Sequence, residues 1–137
     1  MSQCPCESGK SYQACCEQYH LGTAAPTIAT HSIAAPDAEA LMRSRYSAYV
    51  LKLEAYLLKT WHPDTRPTDL DLNQDALKWL GLQVKKYKKI DENHALVEFV
   101  ARYKHADNLS GRAERLHEVS QFERINASWY YVSGEDQ

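Results

Sequence analysis

The sequence predicts an α+β fold in which helices come first and an antiparallel sheet follows. Two observations carry this. A helical pattern recurs at three- and four-residue intervals through Leu41, Met42, Arg45, Tyr46, Tyr49, Leu53, Tyr56 and Leu57, whereas from Gly81 onward the period falls to two. A third observation, the hairpin length of the later connections, makes the sheet a meander that can curl over the long helix.

The first element is a cysteine knuckle. All four cysteines of the 137-residue chain stand near its start, as Cys4-Pro5-Cys6 and Cys15-Cys16. Two such pairs are what a soft tetrahedral ion such as zinc needs, four thiolates converging from two short segments. The alternatives are disulfides, which would have to run between the pairs because each pair closes on itself only with strain, or free thiols. Ser8-Gly9 is a turn signal, Pro5 stiffens the first pair, and Ser11 can cap a short helix through Cys15-Cys16. His20, one helical turn beyond Cys16, is a substitute ligand. Four thiolates leave no position for water, so the expected ion is structural, one zinc per chain.

Residues 23–36 are small and proline-punctuated and read as a linker or loop between the knuckle, residues 1–22, and an α+β domain, residues 37–137. Asp37 caps the long helix, which the corner Trp61-His62-Pro63 ends, since the residue before proline is driven out of the helical region. A short helix through Asp75-Ala76-Leu77-Lys78-Trp79 is expected to stop at Gly81. Strands then open at Leu82-Gln83-Val84, alternate through Val97 to Tyr103, run from about Glu114 to Ile125, and end with Trp129 to Val132. Their turns are Asp91-Glu92-Asn93, Asp107 to Gly111 and Asn126-Ala127-Ser128.

Cys4-Pro5-Cys6-Glu7-Ser8-Gly9-Lys10 followed by Cys15-Cys16 resembles the SEC-C motif, the zinc knuckle named for the C-terminal end of the export ATPase SecA. With Leu41 to Tyr46, Thr60-Trp61-His62-Pro63, Trp79-Leu80-Gly81-Leu82 and Trp129-Tyr130-Tyr131, nearly the whole chain resembles the uncharacterised bacterial UPF0225 or YchJ-like family. The resemblance implies an NTF2-like (cystatin-like) cone over residues 37–137, preceded by the knuckle, and partners among export- or ribosome-associated proteins. The chain departs from the family pattern at Glu7, where the motif usually has glycine, and at Gln121, where relatives tend to have arginine.

Composition narrows the function classes. Apolar residues make up 44% of the chain, enough for one core, and no apolar run is long enough to span a bilayer or serve as a signal peptide. The expected compartment is the cytoplasm, where thiols stay reduced. A formal net charge of -2 argues against generic nucleic-acid binding. One basic run, Lys85-Lys86-Tyr87-Lys88-Lys89, could hold RNA around a stacking ring, or could decorate an edge strand against aggregation.

Outside the knuckle, Arg45 sits on the apolar helix face and needs an anion. Glu118, sharing a strand face with Leu116, Ser120 and Phe122, is its expected partner. Trp61 and His62 could line the mouth of the cone. His117 and Glu118 cannot act as a dyad, because strand neighbours point to opposite faces. No nucleophilic triad, phosphate-binding glycine loop or His-Glu-x-x-His helix is present, so nothing in the sequence points to an enzyme. The expectation is a zinc-binding accessory or adaptor protein whose knuckle docks on a macromolecule. A ligand-binding or catalytic cone around Arg45, Trp61, His62 and Glu118, and an RNA-binding strand, are the alternatives.

Overall fold

One antiparallel sheet in the order β1-β2-β3-β4 closes over a helical layer. This computed structural model describes residues 3–20, 35–70, 77–105 and 111–137. The elements are α1 (Glu17–His20), α2 (Ala38–Leu51), α3 (Glu54–Lys59), β1 (Leu77–Asp91), β2 (His94–His105), β3 (Glu114–Ile125) and β4 (Ser128–Asp136). The family-implied α+β cone and the meander are both present. The expected linker lies almost wholly outside the described residues, as does most of the turn expected at Asp107 to Gly111.

Helix α2 starts where its cap residue predicts. The Asp37 carboxylate accepts from the Ala40 backbone N–H at 2.7 Å, satisfying one of the donors that a helix start leaves over. Replacing Asp37 by alanine is expected to lower stability by about 1 kcal/mol. Urea unfolding would show this as an earlier midpoint at unchanged slope, and an unshifted midpoint would count against the cap.

The long helix predicted to reach the proline corner is instead two helices. Lys52 adopts φ 59, and the Leu53 N–H returns to the Ala48 carbonyl at 2.8 Å while the Lys52 N–H reaches Tyr49 at 3.3 Å. That pair of bonds is a Schellman close, normally marked by glycine at the left-handed position. Lysine there leaves no signal in the sequence. The reversal folds α3 back so that Tyr56 and Leu57 bury against Ala48 in a small second cluster.

The short helix expected at Asp75 to Trp79 is also corrected. Asp75 and Ala76 lie outside the described residues, but Leu77, Lys78 and Trp79 are the first residues of β1, paired with His105, Lys104 and Tyr103. Cross-strand pairing has overridden a local helical pattern, as tertiary context does for weak propensities. Gly81 marks a bulge rather than a helix end, for the register shifts between Trp79 and Gly81. Its backbone lies so close to the Glu7 carboxylate and Arg102 guanidinium that a Cβ would collide with both.

The remaining turns follow the sequence. Asp91-Glu92-Asn93-His94 joins β1 to β2, and Asn126-Ala127, at φ 50 and 67, forms the tight turn between β3 and β4. The corner at Trp61-His62 is stitched to β4: Tyr131 donates to the Thr60 carbonyl at 2.8 Å and accepts from the His62 N–H at 2.7 Å. One apolar core then runs from the sheet, through Val97, Phe99, Phe122 and Trp129, to Leu41, Met42 and Tyr46 of α2. It continues into Cys4, Cys6 and Cys16, so the knuckle packs into the main core.

Candidate metal centre

The cysteine segment is built from two turns. Cys4 donates its N–H to the Lys10 carbonyl at 2.9 Å and accepts from the Glu7 N–H at 3.1 Å, closing the loop that carries Cys4 and Cys6. Ser11 then accepts from Ala14 through its hydroxyl oxygen at 3.3 Å and starts the helical turns that present Cys15 and Cys16 ahead of α1. Glu7 sits at φ 61, a conformation that favours glycine, so the departure noted above falls on a strained position. Its carboxylate accepts from the Leu82 N–H and ties the knuckle to β1.

All four Sγ atoms lie within 4.8 Å of one another. Cys6 to Cys15 spans 3.6 Å and Cys15 to Cys16 spans 3.9 Å, near the edge of about 3.8 Å that zinc–sulfur bonds of about 2.3 Å give a tetrahedron. None of the cysteines is in a disulfide. The four residues therefore fit a tetrathiolate metal, with Cys4, Cys6 and Cys16 buried and Cys15 partly open.

Electrostatics inside the cluster point the same way. Hydrogen bonds from Cys16 and then Cys6 hold the Cys4 thiol far below its ordinary range. The bonds to Cys4 and Cys6, with burial, push Cys16 far above it. Four sulfurs in one buried spot share protons unequally, and a divalent cation that displaces those protons would relieve their mutual repulsion.

Helix α2 supplies contacts that the sequence did not single out. Ser47, fully buried, donates to Cys16 Sγ at 3.3 Å and lies 3.5 Å from Cys4 Sγ. Arg43 donates to the Cys6 carbonyl at 2.8 Å. The available signal was Ser44 and Ser47 at helical spacing among apolar neighbours, polar residues that a buried helix face carries only where something meets them. His20 is not a ligand: its Nδ1 meets the Tyr12 hydroxyl at 2.7 Å and its Nε2 the Ser44 carbonyl at 2.8 Å. Burial pushes its pKa down, so the ring is a neutral plug between knuckle and helix.

The other candidate residues separate. Arg45 and Glu118 line one cavity between α2 and the sheet, of about 320 Å³, whereas Trp61 and His62 are not in its wall. The expected Arg45 to Glu118 ion pair does not form. Arg45 Nη1 donates at 2.8 Å to both the Leu57 carbonyl and the Thr60 hydroxyl, and Glu118 instead accepts from Ser120 Oγ at 2.6 Å. The reversal at Lys52 is the cause, because it returns α3 to Arg45 and supplies those oxygens. His117 bonds Glu98 at 2.7 Å, apart from Glu118, as strand alternation requires.

His62, behind the Trp61 corner, meets Glu123 at 2.8 Å, and His94 meets the other oxygen of Glu123 at 3.4 Å and Asp91 at 2.9 Å. The hydrogen bond to Asp91 and the nearby carboxylates raise His94 above its ordinary 6.5. A folded-state pKa above the unfolded one stabilises fully below pH 6.5, and the contribution fades as pH rises through the folded value. A ring-proton NMR titration is expected to place the His94 midpoint above 6.5, and Asp91→Asn to return it toward that value. Equal midpoints in the two proteins would contradict the assignment.

Lys85, Lys86, Lys88 and Lys89 are exposed on β1, an edge strand, and the Tyr87 hydroxyl is hydrogen-bonded to the Ala38 backbone. No helix among the described residues is long and apolar enough to cross a membrane.

Comparison with known proteins agrees with this architecture. The family model for the middle NTF2-like domain of YchJ matches residues 37–134, and that for the SEC-C motif matches residues 2–18. A UPF0225 protein of Bordetella pertussis is 51% identical over 132 residues, 96% of this chain and 91% of its own. The solution structure of a SEC-C motif containing protein from Rhodopseudomonas palustris is 33% identical, with a TM-score of 0.77 over 96% of both chains. The crystal structure of a sec-c motif containing protein from Psychrobacter arcticus is likewise 33% identical, with a TM-score of 0.74 over 95% of this chain and 80% of its own.

Proposed function

The chain belongs to the UPF0225 family, and from that premise we propose that it is a zinc-binding accessory protein of the cytoplasm whose knuckle docks on a protein partner. The observation that carries the reading is the convergence of four sulfurs within 4.8 Å on a segment whose inner side is core and whose outer side is open. Cys4, Cys6 and Cys16 face inward, while Gly9, Lys10, Gln13 and Ala14 lie exposed on the outer turns. Zinc suits the site because four thiolates satisfy its coordination with no open position, so the ion would hold the knuckle in shape and do no chemistry. The likeness to the SecA knuckle supports a partner in protein export or on the ribosome.

Native mass spectrometry under reducing conditions is expected to find one zinc per chain. Crosslinking in lysate is then expected to give a reproducible protein partner whose capture falls with Lys10→Glu and Gln13→Glu while zinc content is unchanged. A metal-free, unoxidised protein would remove the centre of the proposal. Zinc present but capture indifferent to both surface changes would remove the docking role and leave a purely structural knuckle.

A further inference from the structure

The cavity between α2 and the inner face of the sheet is unrelated to the knuckle and carries its own chemistry. Tyr46, Trp79, Phe99 and Tyr131 give it an apolar, largely aromatic wall, with Arg45 on the helix side and Glu118 on the sheet side. Its volume of about 320 Å³ falls at the small end of the roughly 300–1,000 Å³ usual for ligand sites.

Arg45 is the unusual member. It is 4% exposed, and its guanidinium lies 5.0 Å from the Trp61 ring centroid and 4.6 Å from that of Tyr131. Among the described residues its partners are the Leu57 carbonyl, the Thr60 and Tyr49 hydroxyls and these ring faces, and no carboxylate forms an ion pair with it. Neutral partners offset only part of the desolvation of a guanidinium, and a buried charge of this kind is ordinarily met by an anion. Both Nη1 hydrogens are taken, so an anion would approach the remaining N–H groups of the guanidinium beside the Tyr49 hydroxyl, where a carboxylate could share them. Beside it, the buried Nε1 of Trp61 has no acceptor among the described residues. Glu118, by contrast, is an acceptor held by Ser120 and packed on Gly134.

We propose that this cavity binds a small organic acid with an apolar, ring-sized body, its carboxylate on Arg45 and a hydrogen-bond donor at its far end on Glu118. An apolar wall supplies affinity for the body, and two opposite charges on facing walls set its orientation. A ligand carrying a neutral amide in place of the carboxylate would lose the charge-assisted bond to the guanidinium and bind more weakly.

The test is an NMR titration of the ¹⁵N-labelled full chain with 4-hydroxyphenylacetate, phenylacetate and the neutral 4-hydroxyphenylacetamide, following the indole N–H signals of Trp61 and Trp79. The hydroxy acid is expected to give saturable shifts, phenylacetate to bind severalfold more weakly, and the amide to bind at least about tenfold more weakly, the scale of a lost charged hydrogen bond. Arg45→Gln and Leu116→Trp, the second filling the cavity from β3 without touching the bonds of Arg45, are each expected to weaken the hydroxy acid at least about tenfold. If Arg45→Gln fails to fold, Leu116→Trp and the amide decide. Absence of saturable shifts with the hydroxy acid, the amide binding as well as the acid, or undiminished binding by the folded variants would overturn the proposal, and phenylacetate binding equally well would remove Glu118 from it.

Discussion

Replacing Cys16 by serine is expected to abolish stoichiometric metal retention and to lower the thermal midpoint by more than about 10 °C, because small knuckles owe about 10–16 kcal/mol of apparent ordering energy to their ion. The effect should reach beyond the knuckle. Cys16 is 1% exposed and belongs to the same core as Leu41, Met42 and Phe122, and its sulfur accepts from Ser47 on α2. Cys15→Ser, at the partly open corner of the cluster, should lose the metal with less disturbance of the core. Calorimetry with metal analysis on both variants, and on wild-type protein treated with a chelator, makes the comparison. A Cys16→Ser protein with an unchanged midpoint would mean that the ion, if bound, does not brace the fold.

Truncating Phe122 to alanine is expected to destabilise the protein by about 3–5 kcal/mol, the usual range for removing a fully buried ring that its surroundings cannot collapse to fill. Phe122 is 1% exposed, meets Tyr131 edge-on at 5.8 Å between ring centroids, and sits in the core that joins the sheet to α2 and the knuckle. Its neighbour Gln121 is exposed, so Gln121→Ala should stay within about 0.5 kcal/mol. Urea unfolding of the pair measures both. Similar losses at the two positions would contradict the assignment of faces on β3.

The parts of this fold that could be read in advance are those whose physics is local. The two cysteine pairs converge because short turns around Gly9 and Ser11 bring them together, and nothing distant is needed to see that. Alternation marked β2 and β3, β3 with the bounds expected, because a strand with one buried face must repeat every two residues. The cap at Asp37 and the turn at Asn126 were likewise legible, each resting on a side chain or φ preference close by.

The departures from local preference share a cause. Lys52 takes a left-handed conformation without the glycine that would announce it, so one helix became two. Leu77 to Trp79 look helical alone and are strand because Tyr103 to His105 pair with them. Face periodicity pairs Arg45 with Glu118, yet the chain reversal brings Leu57 and Thr60 to it. The role of Ser47 is set at long range, since only the docking of the knuckle on α2 gives a buried hydroxyl something to bond.

By itself the sequence determined the fold class, the strand order and a tetrathiol cluster, because hydrophobic period, turn chemistry and short-range cysteine spacing act within a few residues. Tertiary structure alone decided that the knuckle is welded into the main core, and that Arg45 and Glu118 face one cavity without meeting. Those outcomes depend on where a backbone reversal places groups that are far apart along the chain, and no local preference encodes that placement.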